Sequence, residues 1–276
     1  MNPVPLFLII VTLPLLLGGC GEKVEVEPVA LPNPTEGAPV KPNLKYEIKG
    51  DAVTITGCNE GASGKLVIPA TFEGKTVTSI GEDAFWGCSR LTSITIPDGV
   101  TSIGYGAFRS CGLSSITIPD SVTSIGGTAF KRCSRLTSIT IPDSVTSIGG
   151  WAFKFCLRLT SVTIPNSVTR IGNGTFDYCE SLTSITIPDS VISIGESAFS
   201  YCKSLTSITI GDSVTSIDGF AFRDCSSLTA VTFLGDAPKN EEVFFATAPT
   251  IYRKPEAKGW GETFAGRPVN LISEKP

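Results

Sequence analysis

One sequence unit recurs seven times in this chain, from Ala84 onward. Its clearest copy runs from Ala129 to Trp151, spans 23 residues and reads AFKRCSRLTSITIPDSVTSIGGW. A period this constant is typical of a solenoid, in which each unit buries its apolar face only against its neighbours. We therefore expect one elongated repeat domain. A marker phenylalanine defines the register at a spacing of 22 or 23 residues: Phe85, Phe108, Phe130, Phe153, Phe176, Phe199 and Phe222.

Composition removes several functional classes. The 276 residues include no His, which excludes Ser-His-Asp triads, His-ligated zinc and imidazole acid–base catalysis. The formal net charge is −4, which argues against nucleic acid as the main partner. The sequence also lacks a phosphate-binding loop, a nucleophile elbow and a metal-ligand cluster. We therefore expect a protein that is not an enzyme and that uses no metal or cofactor.

The first residues are typical of an export signal. Residues 1–19 carry no charged side chain, and their apolar run is shorter than the roughly 20 residues of a membrane-spanning helix. The run ends in LGGC at Cys20, which resembles the lipobox of bacterial lipoproteins. This resemblance implies that Cys20 is acylated, and Gly21 in place of Asp implies an outer-membrane or cell-surface address. An ordinary cleaved signal is the alternative.

A tether and two caps flank the repeats. Five prolines within residues 20–44 predict an extended, semi-rigid spacer. Alternating residues on both sides of Gly50-Asp51 predict a hairpin, and Val231-Thr232-Phe233 is the last recognisable strand. Trp260 is interpreted as a lid over the core, with a ligand platform as the alternative. The predicted order is signal 1–19, lipidated Cys20 and tether 20–44, N-terminal cap with a degenerate repeat 45–81, repeats 82–235 and an irregular C-terminal cap 236–276.

Within one unit, Leu136, Ile139 and Ile141 follow the L-x-x-L-x-L spacing of a leucine-rich repeat. The string A-F-x-x-C-x-x-L-T-S-I-T-I-P-D-S-V-T-S-I-G resembles the BspA-like leucine-rich repeat family over about residues 66 to 235. The resemblance implies a right-handed solenoid with a parallel β-sheet on one face and short helical or irregular returns. It also implies a secreted or surface protein of the adhesion or protein-binding kind, without catalytic residues.

Seven cysteines recur in register with the repeat. Stacked side chains of this kind suit disulfide bonding poorly, and free Cys is among the most buried residue types. We therefore expect a structural ladder of free thiols, with some disulfides or a metal site as the alternatives. The predicted ladder comprises Cys88, Cys111, Cys133, Cys156, Cys179, Cys202 and Cys225.

Two polar columns have simple structural interpretations. An Asp follows the strand-ending Pro in most units, as in Pro142-Asp143, and is interpreted as turn chemistry rather than a calcium site. The strand positions represented by Ser138 and Thr140 predict a flat hydroxyl face. Thr is a good exposed strand residue, so an ice-binding role is the weaker interpretation.

The variable positions carry the candidate partner-binding residues. The column two residues after the marker Phe includes three consecutive aromatic residues that would stack at the coil spacing. Stacking either stabilises the ladder alone or offers a platform to a protein or glycan.

The charged residues are unevenly distributed along the repeats. Residues 84–174 carry eight Lys and Arg residues against three Asp residues, whereas residues 175–235 carry two Lys and Arg residues against seven Asp and Glu residues. The candidate residues are Trp151, Phe155, Tyr178, Tyr201, Phe220, Arg132, Arg135 and Arg158.

The polarised charge allows a basic patch for an acidic surface partner, head-to-tail self-association of copies, or drift among solvated positions. Anchor, tether and repeats together predict a lipid-anchored, non-catalytic module that presents its surface to a protein or glycan at the cell surface. The alternative is a structural or envelope-organising repeat protein without a discrete ligand.

Overall fold

The computed structural model describes residues 44–59, 61–240 and 242–274. The predicted signal, the lipidation site Cys20 and nearly all of the tether lie outside these ranges. Within them the chain forms a parallel β-solenoid of about nine turns. No helix in these ranges has the length and hydropathy to cross a membrane.

The N-terminal cap begins with the expected hairpin. Strands β1 (Leu44–Lys49) and β2 (Ala52–Cys58) are antiparallel and close at the pair Lys49 and Ala52. A second hairpin joins β4 (Thr71–Phe72) to β5 (Lys75–Ile80), and both turn residues, Glu73 and Gly74, have positive φ. This turn matches the right-handed twist of its strands and favours glycine at the second position. Strand β2 then pairs parallel with β5 and starts the solenoid.

The L-T-S-I-T-I segments form the first parallel ladder. Equivalent residues face each other, so Ile185 pairs with Ile208 and Ile208 with Val231. In the unit shortened at Gly112 the strand is reduced to bridges from Thr117 to its two neighbouring coils. The strands of this ladder form three hydrogen-bonded groups along the axis: β3 (Gly64–Val67) with β6 (Leu91–Thr95), β9 (Ser138–Thr140) with β11 (Ser161–Thr163), and β13 (Ser184–Ile187) with β15 (Ser207–Ile210), β17 (Ala230–Phe233), β19 (Thr250–Arg253) and β21 (Arg267–Leu271).

A second parallel ladder, which the sequence did not predict, follows the T-S-I-G segments. Each of its two-residue strands before β18 turns one Ile inward, and Ile125 is in register with Ile103 and Ile148. The solenoid therefore has hydrogen-bonded strands on two faces rather than one. The strands of this second ladder form two hydrogen-bonded groups: β5 with β7 (Ser102–Ile103), β8 (Ser124–Ile125) and β10 (Ser147–Ile148), and then β12 (Arg170–Ile171) with β14 (Ser193–Ile194), β16 (Ser216–Ile217) and β18 (Lys239–Asn240).

The returns are tight turns rather than helices; among the described residues the only helix is a 3-10 turn, Ile272–Glu274. Each return is hydrogen-bonded to the next one along the axis, as in Phe108 N–H to Ala129 O at 2.8 Å. The marker phenylalanines lie directly inside this wall. All seven are fully buried, and neighbouring rings stack with centroids 5.3 to 5.5 Å apart.

The C-terminal cap is more regular than expected. Strands β19 and β21 continue the first ladder beyond Phe233, and β20 (Thr263–Phe264) folds back on β21 as a hairpin. Trp260 packs on Phe233 and Phe264 at ring distances of 4.9 and 5.2 Å, and its Nε1 donates to Gly235 O at 3.2 Å. This position supports the interpretation of Trp260 as a lid.

Candidate binding surface on the return segments

The thiol column lies behind the phenylalanine stack. Each thiol Sγ lies 2.9 to 3.3 Å from a phenylalanine carbonyl oxygen of the preceding coil. Burial raises the pKa of Cys111, Cys156 and Cys225 to about 12 and keeps every thiol of the column protonated near neutral pH. These thiols are structural donors and poor nucleophiles. The free thiols are Cys111, Cys133, Cys156, Cys179, Cys202 and Cys225.

The prediction for Cys88 is wrong, because this residue forms a disulfide with Cys58. No marker phenylalanine precedes Phe85, so Cys88 has no equivalent carbonyl acceptor in the coil before it. The end of β2 instead brings Cys58 to this position. At the opposite end Thr247 replaces the thiol and donates to Phe222 O at 2.8 Å.

The hydroxyl face is exposed on β9 and β11, as expected, whereas Thr232 near its C-terminal end is buried. Hydroxyl groups along the edge of this face bond to carbonyl groups of the preceding coil. Thr160, beside β11, donates its hydroxyl to Thr137 O at 3.1 Å, and the same bond recurs along the solenoid. An open groove of about 580 Å³ crosses this face along the end of β11 and β13. Asp189 accepts a hydrogen bond from the Asp212 amide at 3.0 Å, which supports the turn interpretation. No group of three or more potential metal ligands occurs in the described part of the chain.

The return face carries two columns of residues with left-handed backbone. The N–H of each such residue bonds to a carbonyl of the following coil, as in Tyr178 N–H to Ser200 O at 2.8 Å. Glycine adopts this conformation freely, whereas bulky side chains rarely do. The outer column contains Gly87, Ser110, Arg132, Phe155, Tyr178, Tyr201 and Asp224; the adjacent column contains Asp83, Gly106, Thr128, Trp151, Gly174, Ser197 and Phe220.

Three aromatic rings of the outer column form one stack. Phe155 and Tyr178 have centroids 4.7 Å apart, and Tyr178 and Tyr201 lie 4.2 Å apart at 14°. Arg132 covers the free face of Phe155 at 5.6 Å, and Arg223 lies 5.7 Å from the Tyr201 ring. The ring faces are therefore occupied by neighbours, and the half-buried stack presents its edges to solvent. It offers no open ring face on which a sugar could stack.

The adjacent column places its aromatic residues outside this stack. Trp151, 45 % exposed, lies against the backbone of Gly174 in the next coil, where a Cβ would collide with the indole. Phe220 contacts Phe245 edge to face at 6.0 Å, and Arg223 lies 5.7 Å from its ring. Trp151 and Phe220 therefore form two separate contact points on the same face.

A basic patch adjoins the N-terminal end of the stack. Burial and then the charges of Arg109, Lys154 and Arg132 lower the pKa of Lys131. Lys154 Nζ pairs with the buried Asp177 carboxylate at 2.7 Å; desolvation raises the pKa of Asp177, and Lys154 opposes that rise. We define the basic patch as Arg109, Lys131, Arg132, Arg135, Lys154 and Arg158.

Arg135 and Arg158 are exposed and occupy equivalent positions on neighbouring coils. Each lies where the return segment ends and the first ladder begins. Arg109, Lys131 and Lys154 were not among the sequence-predicted site residues. Their signal was present, because all three directly follow the marker phenylalanine in consecutive units. The Cys58 partner of Cys88 had no comparable signal.

Comparison with solved structures identifies similar solenoids. The chain is 27 % identical to a leucine-rich repeat protein of T. pallidum, with 78 % of this chain and 86 % of that chain covered and a TM-score of 0.52. A leucine-rich repeat protein from Bacteroides ovatus is 26 % identical, covering 84 % of this chain and 76 % of that chain with a TM-score of 0.49. No match was found among curated protein sequences.

The family model described as the BspA type leucine rich repeat region matches six copies over residues 65–183 and 170–251. These residues cover the free thiol column, the return face and most of both ladders described above. The chain therefore belongs to the BspA-type leucine-rich repeat family, whose members are generally bacterial cell-surface proteins.

Proposed function

We propose that this protein is a non-catalytic binding module held at the bacterial surface by acyl chains on Cys20, and that its return face contacts the partner. Family membership supports a surface location. A proline-rich tether between anchor and solenoid suits presentation of that face away from the membrane.

The observation that carries this proposal is the large size of three side chains in the outer column. A left-handed backbone destabilises a non-glycine residue by roughly 1–2 kcal/mol, and Phe155, Tyr178 and Tyr201 all have φ near 60°. An aromatic pair contributes about 0.5–1.5 kcal/mol beyond the area that it buries, which is comparable with this strain. The column also accepts glycine at Gly87, so its backbone does not require a large side chain. Strained positions retained in this way are typical of contact sites.

The return face is also where the coils differ from one another. On the first ladder the coils from Ser93 to Thr209 present the same Ser and Thr pattern, whereas the outer column changes from Arg132 to Phe155 to Asp224. Aromatic and Arg side chains are the residues that most often anchor protein interfaces. Specific recognition therefore fits the return face better than the hydroxyl face.

The binding test uses the full chain against a panel of host matrix proteins, glycans and envelope components. Replacing Phe155, Tyr178 and Tyr201 by Ser copies Ser110 of the same column. We expect the triple variant to lose at least tenfold in affinity for its partner, because each aromatic anchor contributes about 1 kcal/mol or more. The control Ser161→Ala with Thr163→Ala, on the hydroxyl face, keeps wild-type affinity. Loss in the control alone would move the site to the first ladder.

The anchoring part is tested separately. Cys20→Ser removes the acylated side chain, so the variant should no longer incorporate labelled fatty acid and should leave the membrane fraction without detergent. Retention of label in this variant would contradict the assignment of Cys20.

A further inference from the structure

The basic patch has far more positive than negative charge. Of its six cations only Lys154 has an ion-pair partner among the residues that the structure describes, namely Asp177. Arg109 and Arg132 lie over the rings of Trp86 and Phe155, each at 5.6 Å. These ring contacts add no negative charge, so the patch is electrostatically incomplete.

The cations also repel one another. The neighbouring charges of Arg109, Lys154 and Arg132 oppose protonation of Lys131. A bound anion would relieve this repulsion.

The spacing of the patch restricts the shape of that anion. Marker rings of the coils that carry Arg109, Lys131 and Lys154 lie 5.3 Å apart, which gives the repeat of this column along the axis. Side chains on one side of an extended peptide recur every ~6.6 Å, so an acidic peptide loses register within three coils. One pyranose unit, in contrast, lengthens a linear polysaccharide by nearly the axial repeat of this column.

We infer that the basic patch binds a linear acidic polysaccharide, a chain of pyranose units that carry carboxylate or sulfate groups. The inference rests on the proposed binding function and names the chemical class of the partner. The anionic groups face successive cations of the column that contains Arg109 and Lys131. Arg135 and Arg158 widen the patch, since Arg135 lies three positions after Arg132 in the sequence, a span of at most about 10 Å.

The other half of the solenoid sets the length of the ligand. Asp177 occupies the next position after Lys154 in the same column, and residues 175–235 carry seven acidic side chains against two basic ones. A polyanion is repelled beyond this point. The favourable contact therefore extends over three coils and about as many sugar units.

The test is a calorimetric titration of the full chain, purified in detergent, with oligogalacturonates of increasing length. Affinity should rise with each added unit up to three or four units and then level off. It should also fall linearly on a plot of log affinity against log salt concentration, because cations of the patch release counterions. Neutral maltooligosaccharides of equal length should not bind. Heparin-derived oligosaccharides form a second arm, which distinguishes sulfate from carboxylate preference.

Matched variants come from the chain itself. Arg109→Ser with Lys131→Ser copies Ser200 of the same column, and Arg135→Ser with Arg158→Ser copies Ser181 and Ser204. We expect the first pair to weaken binding at least tenfold and each pair to lower the salt slope by about one unit per cation removed. The control Arg170→Ser with Lys203→Ser removes the same charge elsewhere and should change affinity less than twofold.

Three outcomes would overturn the inference: no binding of any acidic oligosaccharide, equal or tighter binding of polyglutamate of matched charge, or equal loss in the Arg170 and Lys203 control. The proposed function is judged separately by the panel assay with the Phe155, Tyr178 and Tyr201 variant. If that variant loses its partner while oligogalacturonate never binds, the return face remains the contact site and only the ligand class is wrong.

Discussion

The column of marker phenylalanines and the outer column follow the same coil register, but the identity of the side chain is constant in the first and changes from coil to coil in the second. Every coil from Phe85 to Phe222 places the same ring in the core, fully buried. In the outer column, two residues away, the side chain changes from Gly87 through Phe155 to Asp224 while φ stays between 54° and 75°. Backbone hydrogen bonds connect consecutive coils in both places. Packing also determines the side chain inside, whereas outside the side chain is free to serve a partner.

The test with the largest expected effect compares a buried and an exposed residue that are adjacent on one strand. Ile139 of β9 is 4 % exposed and Ser138 is exposed. Ile139→Asp buries an unpaired carboxylate, which destabilises by about 3–5 kcal/mol. Because each coil is stabilised only by its neighbours, the loss should spread to both sides. Urea unfolding followed by circular dichroism measures it.

Ser138→Asp is the control for this change, and an exposed substitution of this kind should alter stability by about 0.5 kcal/mol or less. Similar losses in both variants would show that the strand register is wrong.

The second test concerns the one place where the cysteine column departs from its own pattern. The Cys58–Cys88 disulfide closes a loop with a sequence separation of 30 and ties β2 to the first repeat. Replacing both residues by Ala should lower the free energy of unfolding by about 2–4 kcal/mol. Replacing Cys179 by Ala, within the free column, is the comparison and should leave the N-terminal cap intact.

Thiol titration tests the same assignment directly. Denatured, unreduced protein carrying Cys20→Ala should show six free thiols, and reduction should expose the two of the disulfide. Eight free thiols before reduction would restore the uninterrupted ladder that the sequence predicts.

The sequence predicts the buried, recurring positions of the repeat better than the surface columns and the caps. The marker Phe, Leu136 and Ile139 recur at a constant period, so the core and the first ladder could be predicted. The second ladder could not, because strands of two residues such as Ser147–Ile148 are too short to show alternation. The left-handed columns could not be predicted, because residues such as Tyr178 and Trp151 occupy positions at which a recurring glycine would have indicated a positive φ. Cys58 depends on where β2 folds, which is a tertiary property.

The third test uses the protonated thiols. Burial raises the pKa of Cys111, Cys156 and Cys225 from an ordinary value of 9.0 to about 12. A group with a raised folded pKa stabilises the fold fully below its unfolded pKa, and this stability is lost as pH rises toward the folded pKa. The free energy of unfolding should therefore decline between about pH 9 and 12.

Urea unfolding at a series of pH values measures this decline. Cys156→Ala should make it shallower, since one titrating thiol is removed. A slope that does not change in this variant would assign the alkaline loss to other groups, such as the Tyr side chains.

The smallest expected effect tests the outer column itself. Tyr178 has a φ of 59°, where glycine is unstrained and alanine is strained by about 1 kcal/mol or more. Tyr178→Gly should therefore be more stable than Tyr178→Ala by about 1 kcal/mol, although both lose the ring stack. At Ser184, in the exposed part of β13, the order should reverse, because glycine weakens a strand by about 0.5–1 kcal/mol relative to alanine. Thermal and urea unfolding of the four variants give both differences. If glycine is the worse residue at both positions, the backbone of the outer column is not left-handed, and the strain argument for its aromatic residues fails with it.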